Sequence, residues 1–336
     1  MNFIFVILFY FILYYFLYNL SPRINLFDQP NSRKIHKINT PLIGGICIFI
    51  PFYFSSYFFE QDHYFFIIIF SSIPIFIIGI MDDLIEISYF IRLIAQILST
   101  LIVVSFGLLV KDFGIINNEI FYLGYFGLII TIISVISYTT AFNFIDGLDG
   151  LSSSISFFTL VCILTVSYIE TGTLLLTNIH ILLILLFLFF LSNIGLFKRK
   201  IFLGDAGSQT LGFYLSWTII YLSSDVMRLM SPLFVVWLTC LPIFDLVTVI
   251  ISRLRNKTNI LNPQKDHIHH LLIEKKFNNS SILILLNLFV IISVIIGYLI
   301  HFYFGNVISL ICFFFYFLIY FIFINKFKKT NELKNL

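Results

Sequence analysis

Apolar runs of roughly bilayer length follow one another along almost the whole chain, separated by short polar breaks. They fall near 3–20, 42–59, 64–81, 90–110, 120–141, 151–169, 174–197, 208–222, 232–251, 282–304 and 307–325. Most hold the ~17–25 residues an α-helix needs to cross hydrocarbon. Their apolar residues are continuous, unlike the strict alternation of a membrane β-barrel. The pattern predicts an all-α polytopic membrane protein of about eleven transmembrane helices, with 208–222 the shortest.

Composition points the same way. Of 336 residues, 60% are hydrophobic, 19% aromatic and only 11% charged, where soluble domains carry about 25% charged residues. The first run has neither a charged leading segment nor a small-residue cleavage site, so it reads as a retained helix rather than a signal peptide. Cys47, Cys162, Cys240 and Cys312 all lie within apolar runs at no metal-like spacing, which makes them packing residues. With no internal repeat and no long polar stretch, residues 1–336 read as one membrane domain.

Charge sets the expected orientation. With the 21–41 loop in the cytoplasm, inner segments hold all but two of the 20 Lys and Arg residues, leaving only Lys111 and Arg228 outside. The positive-inside rule then places the N-terminus outside and the C-terminus in the cytoplasm. The polar loops at about 21–41, 81–90, 142–150, 198–208 and 252–281 would share the cytoplasmic face. Glu60, Asp62, His63, Glu170 and Asp225 fall in outer loops and read as solvated surface.

Asp82, Asp83, Asp146, Asp149 and Asp205 interrupt the inner side of this chain, where bare carboxylates beside apolar runs are costly. Asp82-Asp83 ends an apolar helix, and a helix C-terminus disfavours negative charge. A polar helix end would account for the pair, as would a divalent cation or a shared proton relieving its repulsion. Asn143 through Leu151 offers an amide and two carboxylates jointed by Gly147 and Gly150, oxygen ligands suited to Mg²⁺. Gly204-Asp205-Ala206-Gly207-Ser208 follows Lys198-Arg199-Lys200. Its glycines and a helix N-terminus at Ser208 would favour an anion, although the basic run alone is an ordinary membrane anchor. Arg33, Lys34 and His36, ahead of Pro41 and Gly44-Gly45, could hold a phosphate, or the two cations could serve orientation alone. Asp266-His267-Ile268-His269-His270, downstream of Arg253 and Arg255, lacks the partner residues of a zinc site and suits hydrogen bonds to a phosphate or sugar.

Taken in order, these segments resemble the polyprenyl-phosphate N-acetylhexosamine-1-phosphate transferases, bacterial inner-membrane enzymes of the glycosyltransferase family 4 type. The matching pieces are Asp28 through His36 with Pro41 and Gly44-Gly45; Met81-Asp82-Asp83; Ala141 through Leu151; Phe202 through Ser208; and Arg253 through His270. The His-Ile-His-His form looks like the undecaprenyl-phosphate GlcNAc-1-phosphate transferase branch, which starts O-antigen, enterobacterial common antigen and teichoic-acid linkage units. The peptidoglycan branch, acting on UDP-MurNAc-pentapeptide, typically shows three consecutive histidines, and Ile268 interrupts them here. One departure stands out: the family usually has an asparagine where this chain has Thr140.

The resemblance implies transfer of a sugar-1-phosphate from a UDP-N-acetylhexosamine to undecaprenyl phosphate, at a cytoplasmic-facing site in the bacterial inner membrane. It implies Mg²⁺, with Mn²⁺ as an alternative, held by Asp205 and Asn143, with Asp83 assisting. Asp82 would deprotonate or orient the lipid phosphate, and Asp146 and Asp149 would position nucleotide or metal. Arg33, Lys34, His36, Gly204, Gly207, Ser208, Arg253, Arg255, His267, His269 and His270 would contact phosphates and sugar. Nucleic acid is not an expected partner, and a homodimer is one assembly open to the chain. An ion-coupled transporter would instead place its acids near the midplane in repeated halves, and a lipid-pyrophosphate hydrolase would need no UDP-sugar.

Overall fold

The structure, a computed structural model, describes residues 2–29, 39–116, 119–172, 177–259 and 264–332. Its helices are α1 (Asn2–Leu20), α2 (Gly44–Phe59), α3 (His63–Ser71), α4 (Ile73–Ile85), α5 (Tyr89–Ser105), α6 (Phe126–Ile145), α7 (Leu151–Thr171), α8 (Thr177–Asn193), α9 (Gly204–Ser223), α10 (Cys240–Arg255), α11 (Ile268–Glu274) and α12 (Asn279–Glu332). Six stretches are long and apolar enough to cross a membrane, and α2, α5 and α8 are shorter apolar helices. The chain is an all-α membrane protein, with only two small antiparallel strand pairs among the described residues.

Where the observed elements depart from the sequence pattern, local chemistry explains them. The apolar run expected at 64–81 is split at Ser72, just before Pro74, which lacks the N–H that an uninterrupted helix would use. The helix expected from residue 120 starts at Phe126 instead. Ahead of it a strand pair, Asp112–Ile116 with Glu119–Tyr122, stacks Phe113 on Phe121, with ring centroids 6.2 Å apart. Buried Asp112 anchors the strand pair by accepting two hydrogen bonds from Arg228, at 3.0 and 2.7 Å. The last two expected spans form one helical run broken at Gly305, whose φ of 80° is open to glycine. The chain reverses there, so that Phe289 stacks on Tyr316 and Ser293 donates to the Tyr316 hydroxyl at 3.1 Å.

The centre of the bundle is α9. Every one of its residues except Asp205 is buried, and α4 and α6 pack along it. Protein rather than lipid surrounds this helix, so it has no need of an apolar surface and is rich in Gly, Ser and Thr. Small residues let backbones approach: a Cβ added to Gly45 would strike the backbone of Gly207. Short bridges then lock the neighbouring loops. Phe27–Asp28 pairs with Thr40–Pro41, Phe202 donates its N–H to Pro41 at 2.8 Å, and Gly44 and Gly45 donate to Phe202 and Leu203, both at 2.8 Å. This stitching fixes where Gly204 and Asp205 emerge.

Candidate active site

One polar cavity of about 1150 Å³ lies where α4, α6, α9 and the loops beside them converge. All five aspartates singled out from the sequence line it, together with Asn143, Gly204, Ser208, Lys200 and His270. Residues spread over more than 120 positions therefore share one chamber. Beside it an apolar cleft of about 580 Å³, bounded by α7, α8 and α12, meets the cavity at Asp149 and Asn279.

Asp83 caps α9. Gly204, at φ +74°, turns the chain against the Asp83 carboxylate, which accepts the N–H groups of Asp205 at 2.8 Å and Ala206 at 3.1 Å. The helix thus begins at Gly204, earlier than the N-terminus expected at Ser208, and an internal carboxylate already occupies its first donors. Asp205 is left projecting, its side chain 32% exposed. It accepts a hydrogen bond from Asn143 Nδ2 at 2.7 Å and stands 3.7 Å from Arg92. Asp82 is more fully committed, accepting from the Ile87 N–H at 2.6 Å and from Arg92 at 2.7 Å. Asp146 ends α6 and accepts from Ser152 at 2.6 Å. Its carboxyl is pushed up to about 7, chiefly by burial, with Asp205 and Asp149 adding to the rise and Ser152 opposing it. Asp149 pairs with Lys200 at 2.5 Å.

Could this set hold a divalent metal? Asp82 and Asp205 oppose one another within reach of a single Arg92, so the cluster carries more negative charge than its cation offsets. Asn143 and Asp205 present hard oxygen donors. Among the described residues no three His, Cys, Asp or Glu side chains form a metal cage. Mg²⁺ needs none: it typically takes one or two carboxylates and fills its remaining positions with water and substrate phosphate. The donor chemistry fits.

Comparison with known proteins bears on this arrangement directly. The model for glycosyl transferase family 4 matches residues 65–223, a stretch that holds all five cavity aspartates. The chain is 33% identical to the undecaprenyl-phosphate alpha-N-acetylglucosaminyl 1-phosphate transferase of Pasteurella multocida, over 84% of this chain and 81% of that protein. Proteins of the same name from Haemophilus influenzae and Escherichia coli K12 are 31% and 28% identical, over 85% of this chain and 82% and 79% of theirs. The chain belongs to glycosyl transferase family 4.

For a family 4 protein, the placement of the remaining expected residues is informative. Ser208 and His270 line the cavity, as expected of substrate contacts. Gly207 does not: it packs against Gly45 and Leu203, serving helix approach. Arg253 is buried in a two-pronged pair with Asp266, at 2.9 and 2.8 Å, and Arg255 is exposed outside the cavity lining. His267 and His269 are buried behind His270, with His269 pressed against Gly147, where a Cβ would collide with it. Burial, and then His270 and His267, hold the His269 imidazole well below its usual range. Thr140 is not among the lining residues. Arg33, Lys34 and His36 lie outside the described residues.

Two residues escaped the sequence reading. Arg92, counted only as an inner-side charge, is the cation between Asp82 and Asp205. Asp245, a lone acid inside α10, carries His267 at 2.7 Å. Its signal was present, because an acid within an apolar span is expensive, but no neighbouring polar residue drew attention to it. On the other side, Asp62 is more than solvated surface: it caps α3 through Phe65 N–H at 2.9 Å and accepts from Tyr221 at 2.7 Å.

Proposed function

We propose that this protein transfers an N-acetylhexosamine-1-phosphate from a UDP-sugar to undecaprenyl phosphate and releases UMP. One observation carries the reading: the carboxylates of the family-matched segment gather with Asn143 in a single cavity inside a membrane bundle. The adjoining apolar cleft supports a lipid substrate. In this reaction an oxygen of the acceptor phosphate attacks the sugar-bearing phosphorus, and the bond from that phosphorus to the UMP oxygen breaks. Bringing a phosphate to a pyrophosphate makes charge neutralisation and alignment the main tasks.

Asp205 and Asn143 would hold Mg²⁺, which when bound polarises phosphoryl oxygens and neutralises their charge. Asp83 orients Asp205 by fixing the first turn of α9. Asp82 has its oxygens on Ile87 and Arg92, so it orients that arginine toward the phosphates. Asp146 is the better proton acceptor, since a base works best with a pKa near the working pH. Lys200 and His270 supply donors at the rim. Eleven crossings, an outside N-terminus and a cytoplasmic active site complete the proposal, within one membrane domain. The pathway would be one of the envelope polysaccharides begun by such a transfer.

The test is UMP release by detergent-purified protein given undecaprenyl phosphate, Mg²⁺ and UDP-sugars singly, with UDP-GlcNAc first. Lipid-dependent release from one donor is expected; none from any amino-sugar donor with well-folded protein would refute the reading. EDTA should remove activity, and added Mg²⁺ should restore it. Activity that survives exhaustive chelation would exclude the metal.

Asp146 also sets a pH dependence. Its carboxylate form is lost as pH falls through about 7, so kcat/KM should drop on that acid side. In Asp146→Asn the residual acid limb should move down to the acceptor phosphate's own second pKa of about 6. An unmoved limb would show that another group titrates there.

A further inference from the structure

The three histidines at the edge of the cavity stand in different surroundings. His269 is buried with no hydrogen-bond partner at either ring nitrogen, and His270 lines the cavity. Only His267 is backed by a carboxylate. Asp245, 2% exposed on α10, meets His267 Nδ1 at 2.7 Å through one oxygen. Its other oxygen accepts the Ile268 N–H at 2.9 Å. Asp266, adjacent in sequence to His267, does not compete for the ring, because Arg253 takes both its oxygens. Burial raises the Asp266 carboxyl, yet the Arg253 pair outweighs it and keeps that acid ionised.

Asp245 sits in expensive surroundings. The preceding residue, Phe244, packs against Phe313, Tyr316, Phe317 and Tyr320 of α12, and a carboxylate beside such an aromatic cluster is costly unless paired. Both its oxygens are spent on two consecutive residues of the histidine segment. A carboxylate behind an imidazole selects the ring nitrogen that carries the proton and raises the basicity of the other.

We infer that Asp245 is a positioning residue for the transfer reaction: it holds His267 with the proton on Nδ1 and, through the Ile268 N–H, fixes the segment that brings His270 to the cavity. This rests on the proposed function. It also divides the trio, with His270 at the cavity, His267 as the anchor of the segment and His269 as a packing partner.

A double-mutant cycle on the full-length protein tests this through UMP release. Asp245→Asn keeps shape and an acceptor for Ile268 but removes the charge. It should lower kcat/KM by roughly 10–100-fold. The double variant Asp245→Asn/His267→Ala should be no slower than His267→Ala alone, within about twofold. Losses that multiply would mean that Asp245 acts independently of His267 and would overturn the inference, as would a wild-type rate in Asp245→Asn. The split between KM and kcat gives an independent reading. KM for the UDP-sugar should rise in Asp245→Asn while the melting point in detergent stays that of the wild type; a lowered melting point with an unchanged KM counts against the inference.

Should Asp245→Asn not accumulate, Asp245→Ser enters the same cycle. If neither can be purified, His267→Ala decides alone, because a wild-type rate there would leave Asp245 nothing to act through. Wild-type protein that releases no UMP from any donor would strike the proposed function instead, so the two failures are separable.

Discussion

Asp205→Asn is expected to slow UMP release by roughly 10²–10³-fold or more, the scale seen when one charge-stabilising group is removed from a transition state. The fold should tolerate the change. The side chain projects into the cavity, and the helix start depends on the backbone N–H of residue 205, which Asp83 holds whatever side chain stands there. Asparagine also removes one of the opposing charges between Asp82 and Asp205, so thermal unfolding in detergent should be unchanged or slightly later. Initial rates and melting curves on the same preparation check both halves. A near-normal rate would remove Asp205 from its proposed role, and a collapsed melting point would show it to be structural.

Asp83→Ala should fail in the opposite order, with stability lost first. Its carboxylate satisfies two donors at the start of α9, at 2.8 and 3.1 Å. Leaving buried donors unpaired costs about 1–3 kcal/mol each, so a loss of roughly 2–6 kcal/mol is expected for the two, with activity falling because Asp205 is no longer aimed. Asp83→Asn, which still accepts from one N–H, should lie between. The decisive comparison is the melting point against the rate. An inactive Asp83→Ala protein that melts like the wild type would mean Asp83 meets the substrate rather than the helix.

Much of this was legible in the chain because membrane helices announce themselves by apolar length and because acids in such company are conspicuous. The loops holding Asp82-Asp83, Asn143–Asp149 and Gly204-Asp205 could be recognised one by one, and the structure brings them into one cavity. What could not be read is pairing. Nothing in the sequence said that Asp83 would face inward to the backbone of α9 while Asp82 turned to Arg92, since adjacent residues leave a helix in different directions. Asp245 and His267 are 22 positions apart, and only the folded α10–α11 corner brings them together. The strand pair at 112–116 and 119–122 was hidden for another reason: aromatic and β-branched residues that favour strands also read as apolar helix.

The sheathing of α9 bears on how the protein is made. It is not among the helices apolar enough to cross a membrane on composition, yet it sits at the heart of the bundle. A segment like this gains little from meeting lipid alone. As it leaves the ribosome it has to find α4 and α6 already in the bilayer and enter against them, in the sense of helices that insert first and associate second. Asp205 rides on a segment little able to partition by itself, so the cavity comes into being only once its neighbours are in place.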